Sequence, residues 1–369
     1  MQGNGKNRVD TREKSALNRS DRVVLACSAA AVVLAGFTRY GGAGEVWAFV
    51  CSALAVTLLA ALVGRCVEQL GDRFGPGATG VLQSALGNLP ELFIGLFALK
   101  AGLVAVVQAA LIGSILANLL LVLGLCFVVG GLKHGTQKLG SERARRITVL
   151  MLLSVAALVL PSLASYVHTP AAAHEQGLSI IVSVILLLLF ALYLPASLRQ
   201  GSSRLSTQLA QSHDAPRWSL ALALGLLAMA SVAAAFVSDW FVHALEPAMA
   251  TLRISDAFAG LVIVAIAGNA IENVVGVQLA RRNRSEYAFA VVVNSPLQIA
   301  LVLAPLLVIL SQLFGLAPLT LVFAPMLVVS VAIAVLVTAF ITVDGESNWI
   351  EGAALIAVYA IIATAFWWG

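Results

Sequence analysis

Long apolar stretches separated by short polar ones run along nearly the whole chain. After a polar opening, about eleven apolar spans follow, at roughly 22–38, 46–64, 76–99, 103–130, 147–167, 178–197, 218–239, 255–280, 286–314, 317–342 and 350–368. Most reach the ~20 residues that a helix needs to cross a bilayer. The polar intervals at 99–104 and 314–317 are the shortest and predict tight turns. The pattern predicts an all-α polytopic membrane protein with about 11 transmembrane helices. Residues 1–21, with Lys6, Arg8, Arg12, Lys14 and Arg19, read as a disordered cytoplasmic tail. Span 22–38 reads as a leading helix. Its basic lead-in also suits a signal peptide, but the run is long and the cleavage pattern poor.

Composition agrees. The 369 residues are 60% hydrophobic and 11% charged, against about 25% charged in soluble domains. With the N-terminus inside, the tail together with Arg22 at its edge, 65–75, 131–146, 199–217 and 281–284 hold 19 of the 22 Lys and Arg residues. Only Arg39, Lys100 and Arg253 fall outside. Basic residues gather on the cytoplasmic side, so the N-terminus is expected inside, the C-terminus outside, and the number of spans odd.

One short pattern occurs twice. Gly87, Asn88 and Glu91 form G-N-x-x-E inside the third span, and Gly268, Asn269 and Glu272 form it inside the eighth. The offset is 181 residues, and it also places Gly95 on Gly276, Lys100 on Arg281, and Ser114 on Ser295. This predicts internal duplication: a first five-helix repeat over 46–197, a linker over 198–217, and a second repeat over 218–369. The third span runs inside to outside and the eighth outside to inside, so the repeats are inverted, with the leading helix an addition. Inverted repeats with polar groups near the midplane are a transporter architecture.

Of the eighteen acidic residues, only Glu91 and Glu272 fall well inside a span. Ionisable groups there are costly and mark function. On a helix, Gly87, Asn88 and Glu91 share a face, as do Gly268, Asn269 and Glu272. Pro90 removes a backbone donor and tends to break its helix. Two such half-sites meeting would offer two carboxylates, amide oxygens, serine hydroxyls and carbonyls, a set of hard oxygens that suits Ca²⁺. Without a cation, two facing carboxylates in a low dielectric repel, so at least one holds a proton. A pair that holds either a divalent cation or protons is the basis of antiport. Gly87 and Gly268 would let backbones approach the ion. Ser84, Gln108 and Gln278 are candidates to line the path, or to make interhelical hydrogen bonds. Asn118, Asn294 and Gln298 lie one helix on, with Asn294, beside Ser295, favoured near the site.

Other chemistry has little support. There is no phosphate-binding loop or dinucleotide fingerprint, so neither an enzyme, an ATP-driven pump nor an organic cofactor is implied. The five histidines lie in loops or at span ends without zinc spacing. Cys27, Cys51, Cys66 and Cys126 read as small buried hydrophobes. The net charge of +4 reflects topology rather than nucleic-acid binding.

Residues 87–99 (GNLPELFIGLFAL) and 113–124 (GSILANLLLVLG) resemble the first signature region of the cation/proton exchangers in the calcium/cation antiporter superfamily. Residues 268–272 and 295–305 (SPLQIALVLAP) resemble the second. The resemblance implies a Ca²⁺/H⁺ antiporter with Glu91 and Glu272 as metal and proton ligands, and Asn88, Asn269, Ser114 and Ser295 as supporting ligands. It also implies that the second and seventh spans move against a core. Asn273 stands where the family often has His, and Asn294 where it usually has Gly. Pro90 is similar to the G-x-x-x-P-E pattern of the sodium/calcium branch, so Na⁺ coupling is the alternative, with a channel or scaffold the more distant one. The expected partners are Ca²⁺, H⁺ (or Na⁺) and the lipid of a prokaryotic plasma membrane.

Overall fold

The computed structural model describes residues 17–74, 86–201 and 217–368. Among them the chain forms α1 (Arg19–Tyr40), α2 (Glu45–Phe74), α3 (Leu89–Lys100), α4 (Val104–His134), α5 (Ser141–Tyr166), α6 (Glu175–Gly201) and α7 (Leu220–Leu252). There follow α8 (Asp256–Gly268), α9 (Ala270–Arg281), α10 (Ser285–Leu313), α11 (Pro325–Thr342) and α12 (Trp349–Trp367). Nine helices among the described residues are long and apolar enough to cross a membrane, and the bent pair α8–α9 makes a tenth. The expected span at 76–99 runs partly outside the described residues, and α3 is its second half. Large apolar side chains such as Phe37, Phe236, Phe340 and Ile361 stay exposed on the outer helices, the surface that lipid covers.

The ends of the helices group consistently. A two-residue ladder pairs Gln137–Lys138 antiparallel with Glu346–Ser347. Lys133 Nζ at the end of α4 donates to the Arg281 carbonyl at the end of α9, at 3.1 Å. The turns after α4, α9 and α11 therefore share one end of the bundle. The Lys100 end of α3 leads directly into the opposite end of α4. So α3 and α9, which begin at the two G-N turns, run in opposite directions along α4.

Two stretches depart from expectation. The expected span 317–342 is helical only from Pro325. Residues 316–324 are extended, with Leu319, Leu321 and Phe323 buried. Buried backbone needs partners, and side chains supply them. The Leu319, Leu321 and Phe323 amides donate to the hydroxyls of Ser311 (3.2 Å), Ser179 (2.9 Å) and Ser162 (2.9 Å). Gln108 Nε2 donates to the Thr320 and Val322 carbonyls at 3.1 and 2.9 Å, and the Tyr166 hydroxyl to that of Phe323. Gln108 thus makes the interhelical hydrogen bonds that brace this segment.

The second departure is at the start. α1 begins at Arg19, and Asp21, inside the stretch read as tail, is buried. Its Oδ1 takes Arg65 Nη1 of α2 at 2.8 Å, and its Oδ2 accepts from Trp218 Nε1, just before α7, at 3.3 Å. Gln69 Oε1 accepts from the Arg217 and Trp218 amides at 3.1 and 3.3 Å. Small residues (Ser28, Ala31, Ala35) carry α1 close against its neighbours, while Cys27 on its other face is exposed, unlike the buried Cys51, Cys66 and Cys126. Asp21→Asn is expected to cost about 1–3 kcal/mol, since Arg65 is partly solvated but the carboxylate is not. Thermal unfolding in detergent measures this as a lowered midpoint, and an unchanged midpoint would show that the cluster contributes nothing.

Candidate functional site

The two G-N-x-x-E stretches meet in the middle of the bundle, and in each a helix starts directly after the Asn. Asn88 has φ −97° and ψ 22°, and Asn269 has φ −93° and ψ 17°. The same G-N-x-x-E context thus produces the same local turn twice. Pro90 lies in the first turn of α3, where its missing N–H goes unused in any helix. It therefore starts α3 rather than kinking it.

The halves touch through Gly268. A methyl group there would sit 2.8 Å from Glu91 Cγ and 3.0 Å from Oε1. The carboxylate of one copy thus rests on the glycine of the other, and only glycine leaves it room. Glu91 is half-buried, and with Ser114 it closes a narrow, mostly apolar cleft of about 30 Å³, lined also by Gly95, Val106, Val264 and Leu307. That is room for very few water-sized groups. The lining residues all lie toward the Lys100 end of the bundle.

Asn269 is the hub of a fully buried amide–hydroxyl cluster. Its Nδ2 donates to Ser114 Oγ at 2.9 Å and to the Ala265 carbonyl at 2.8 Å. Its Oδ1 accepts from Asn118 Nδ2 at 2.9 Å and from Ser295 Oγ at 3.2 Å. Asn118 Nδ2 also donates to the Ser114 carbonyl at 2.9 Å. Four predicted or candidate residues from α4, α8–α9 and α10 are thus joined, and every one presents oxygen. Asn118 Oδ1 and Asn273 Oδ1 are buried acceptors that no donor among the described residues reaches.

The other half is looser. By the 181-residue offset Asn88 should face Ser295 as Asn269 faces Ser114. Instead Asn88 Nδ2 reaches Gln298 Oε1, at 3.5 Å. The reason lies in sequence: the counterpart of Asn118 is Ile299, so the second copy has no amide to complete a matching cluster. α4 and α10 both wind locally into π turns, Ala117–Val122 and Ile299–Leu303, at positions that match within a residue at the 181-residue offset. Such extra-residue turns concentrate at functional sites.

Of the predicted residues, Glu91, Asn88, Asn269, Ser114, Ser295, Gly268 and Gln298 gather here. Gly87 precedes Asn88 in the turn. Glu272 lies in the first turn of α9. Ser84 lies outside the described residues. Asn294 is half-buried and takes no part in the cluster, because it precedes Ser295 by one residue and so points about 100° round the helix. Gln278 is exposed at the end of α9. Asn118 carries more of the cluster than sequence reasoning gave it. Its signal was its place one turn after Ser114, on the same face.

The sodium/calcium exchanger protein family profile matches residues 44–199 and 222–368. The chain is 35% identical over 342 residues to a Ca(2+)/H(+) antiporter of Aphanothece halophytica, covering 87% of this chain and 90% of that one. It is 38% identical over 322 residues to the Ca(2+)/H(+) antiporter ChaA of Bacillus subtilis (strain 168), covering 86% and 91%. Its fold matches the solved structure of native YfkE with a TM-score of 0.78 at 34% identity, over 93% of this chain and 99% of that one.

Proposed function

Because the chain belongs to the sodium/calcium exchanger family, we propose that it is a membrane antiporter exchanging Ca²⁺ for H⁺, with no enzymatic step and no organic cofactor. The observation that carries the site assignment is the contact of Glu91 with Gly268, which brings the two signature stretches together. Glu91 and Glu272 share the ion, or protons in its absence. Asn88, Asn269, Ser114 and Ser295 supply neutral oxygens, and Asn118 holds the amides in place. When Ca²⁺ leaves, the carboxylates can no longer stay both ionised at close range in a low dielectric, and protons replace it. One ion excludes the other, so neither leaks downhill alone.

The chain is read as two inverted five-helix repeats, 46–197 and 218–369, behind a leading helix. The opposite courses of α3 and α9 support this. α2 and α7 are the moving pair. They lie along one another with Phe49 stacked on Phe241 at 5.1 Å, and with α1 they enclose an apolar cluster separate from the main core. Thr57 Oγ1 of α2 donates to the Ala267 carbonyl, just before the G-N turn, at 3.1 Å. Sliding α2 would break this bond and open or close the path beside the site. The basic end of the bundle is taken as cytoplasmic, in the plasma membrane of a prokaryote.

The test is ⁴⁵Ca²⁺ uptake into proteoliposomes under an imposed proton gradient, repeated with a sodium gradient. Uptake that follows the proton gradient alone is expected. Uptake that follows sodium alone would overturn proton coupling and keep the site. Uptake with neither would overturn calcium as the substrate.

A further inference from the structure

A second site lies at the basic end, away from the glutamates. Lys133 and His134 end α4, while Gln278, Arg281 and Arg282 end α9, and together they line an open cavity of about 650 Å³. Lys133 Nζ and His134 Nε2 both reach the Arg281 carbonyl, at 3.1 and 3.0 Å. These bonds tie the two helix ends together and cap the carbonyl. Among the described residues, the only ion pairs are Arg65 with Asp21 and His243 with Asp239. Lys133, Arg281 and Arg282 therefore face the cavity without a carboxylate.

The two helix C-termini oppose an anion here, each with about half a negative charge. Three full positive charges from Lys133, Arg281 and Arg282 outweigh them, and Arg284 in the next turn adds to the field. The apolar surroundings narrow the choice of anion. Val274, Gln278, Arg281 and Arg282 recur at helical spacing on one face of α9, and Val274 is exposed, as is Leu132 just before Lys133. Exposed apolar side chains on the membrane side of a basic cavity fit acyl chains below a charged headgroup.

We propose that this cavity binds the phosphate of an anionic phospholipid headgroup. The arginines grip it in bidentate fashion, Lys133 adds a point charge, and Val274 and Leu132 take the chains. Basic cavities between helices on the cytoplasmic side recognise such headgroups in general. The site is independent of the ion exchanged, and a bound lipid there would steady α9, whose other end begins at Asn269.

The experiment uses the full chain in detergent, as wild type and as the double variant Arg281→Gln/Arg282→Gln. The thermal midpoint is measured with added phosphatidylglycerol, with phosphatidylcholine, or with inorganic phosphate, and lipid retained through purification is measured by native mass spectrometry. Wild type is expected to gain stability with phosphatidylglycerol but not phosphatidylcholine. The double variant should retain it on the order of thirtyfold more weakly, as two surface arginine charges are lost. The same gain from inorganic phosphate alone would keep the phosphate site but overturn the lipid as its source. Equal responses of wild type and variant, or none in wild type, would overturn the site. If the double variant fails to fold, Arg282→Gln alone and Lys133→Gln carry the same comparison, each expected to weaken retention by about fivefold.

Discussion

Glu91→Gln is expected to leave a folded protein whose proposed Ca²⁺/H⁺ exchange falls to background. Glutamine has nearly the shape of glutamate, so the contact with Gly268 survives. What it loses is the charge. A site made of neutral amides and hydroxyls with one carboxylate holds a divalent cation poorly, and a side chain that cannot take a proton cannot return one. Both halves of the cycle stop together. Stability should change by less than about 1 kcal/mol, because the substitution neither opens a cavity nor overfills one. ⁴⁵Ca²⁺ flux in proteoliposomes, beside the melting midpoint of the same sample, separates transport from folding. Wild-type flux would remove Glu91 from the mechanism. Loss of flux with loss of fold would point instead to a packing role.

Gly113→Val is expected to prevent folding, or to lower the melting midpoint by more than about ten degrees. A side chain at Gly113 would begin 2.3 Å from the Leu261 carbonyl oxygen and 2.4 Å from its Cα. The reciprocal position is as tight: one at Gly260 would begin 2.4 Å from the Val106 carbonyl oxygen. At this crossing of α4 and α8 the two backbones touch, and backbone cannot swing aside as a side chain can. Overpacking usually costs about 1–3 kcal/mol, and more where nothing yields. The same crossing sets the reach of Asn269 to Ser114, one residue beyond Gly113. Gly225→Ala, on α7 with nothing within 4 Å of the added carbon, is the control and should be neutral or slightly stabilising. Size-exclusion profiles and melting curves measure both. A Gly113→Val protein that melts within a degree or two of wild type would show that the crossing is not this close.

Much of the membrane architecture was legible in the chain. Most span positions follow from composition, because a helix in lipid must be largely apolar whatever it packs against; the expected span at 317–342, helical only from Pro325, does not. The turn at each G-N follows from local chemistry, and it recurs with nearly equal dihedrals at Asn88 and Asn269. The choice of Glu91, Asn88, Asn269, Ser114 and Ser295 rested on the repeated spacing, and all of them gather at the centre.

Other features had no local signature. The π turns at Ala117–Val122 and Ile299–Leu303 lie at or next to the buried amides Asn118 and Gln298, but an amide in a helix does not mark where an extra residue is taken up. Gln108 is a candidate both to line the path and to make an interhelical hydrogen bond, and a polar side chain in a span does not by itself choose between them. It serves an extended segment more than two hundred residues away, since buried carbonyls there require a donor. Asp21 has the sequence context of a polar tail, and its burial depends on Arg65 and Trp218, which α2 and α7 bring in from afar.

The sequence by itself determined that this is a many-helix membrane protein that carries the G-N-x-x-E pattern twice, because hydropathy and motif spacing are written locally in the chain. Only the tertiary structure decided which side chains meet: Glu91 on Gly268, Asn118 rather than Asn294 on Asn269, Gln108 on the extended segment. Those pairings depend on helix rotation and on the closest approach of backbones, quantities that no single stretch of sequence contains.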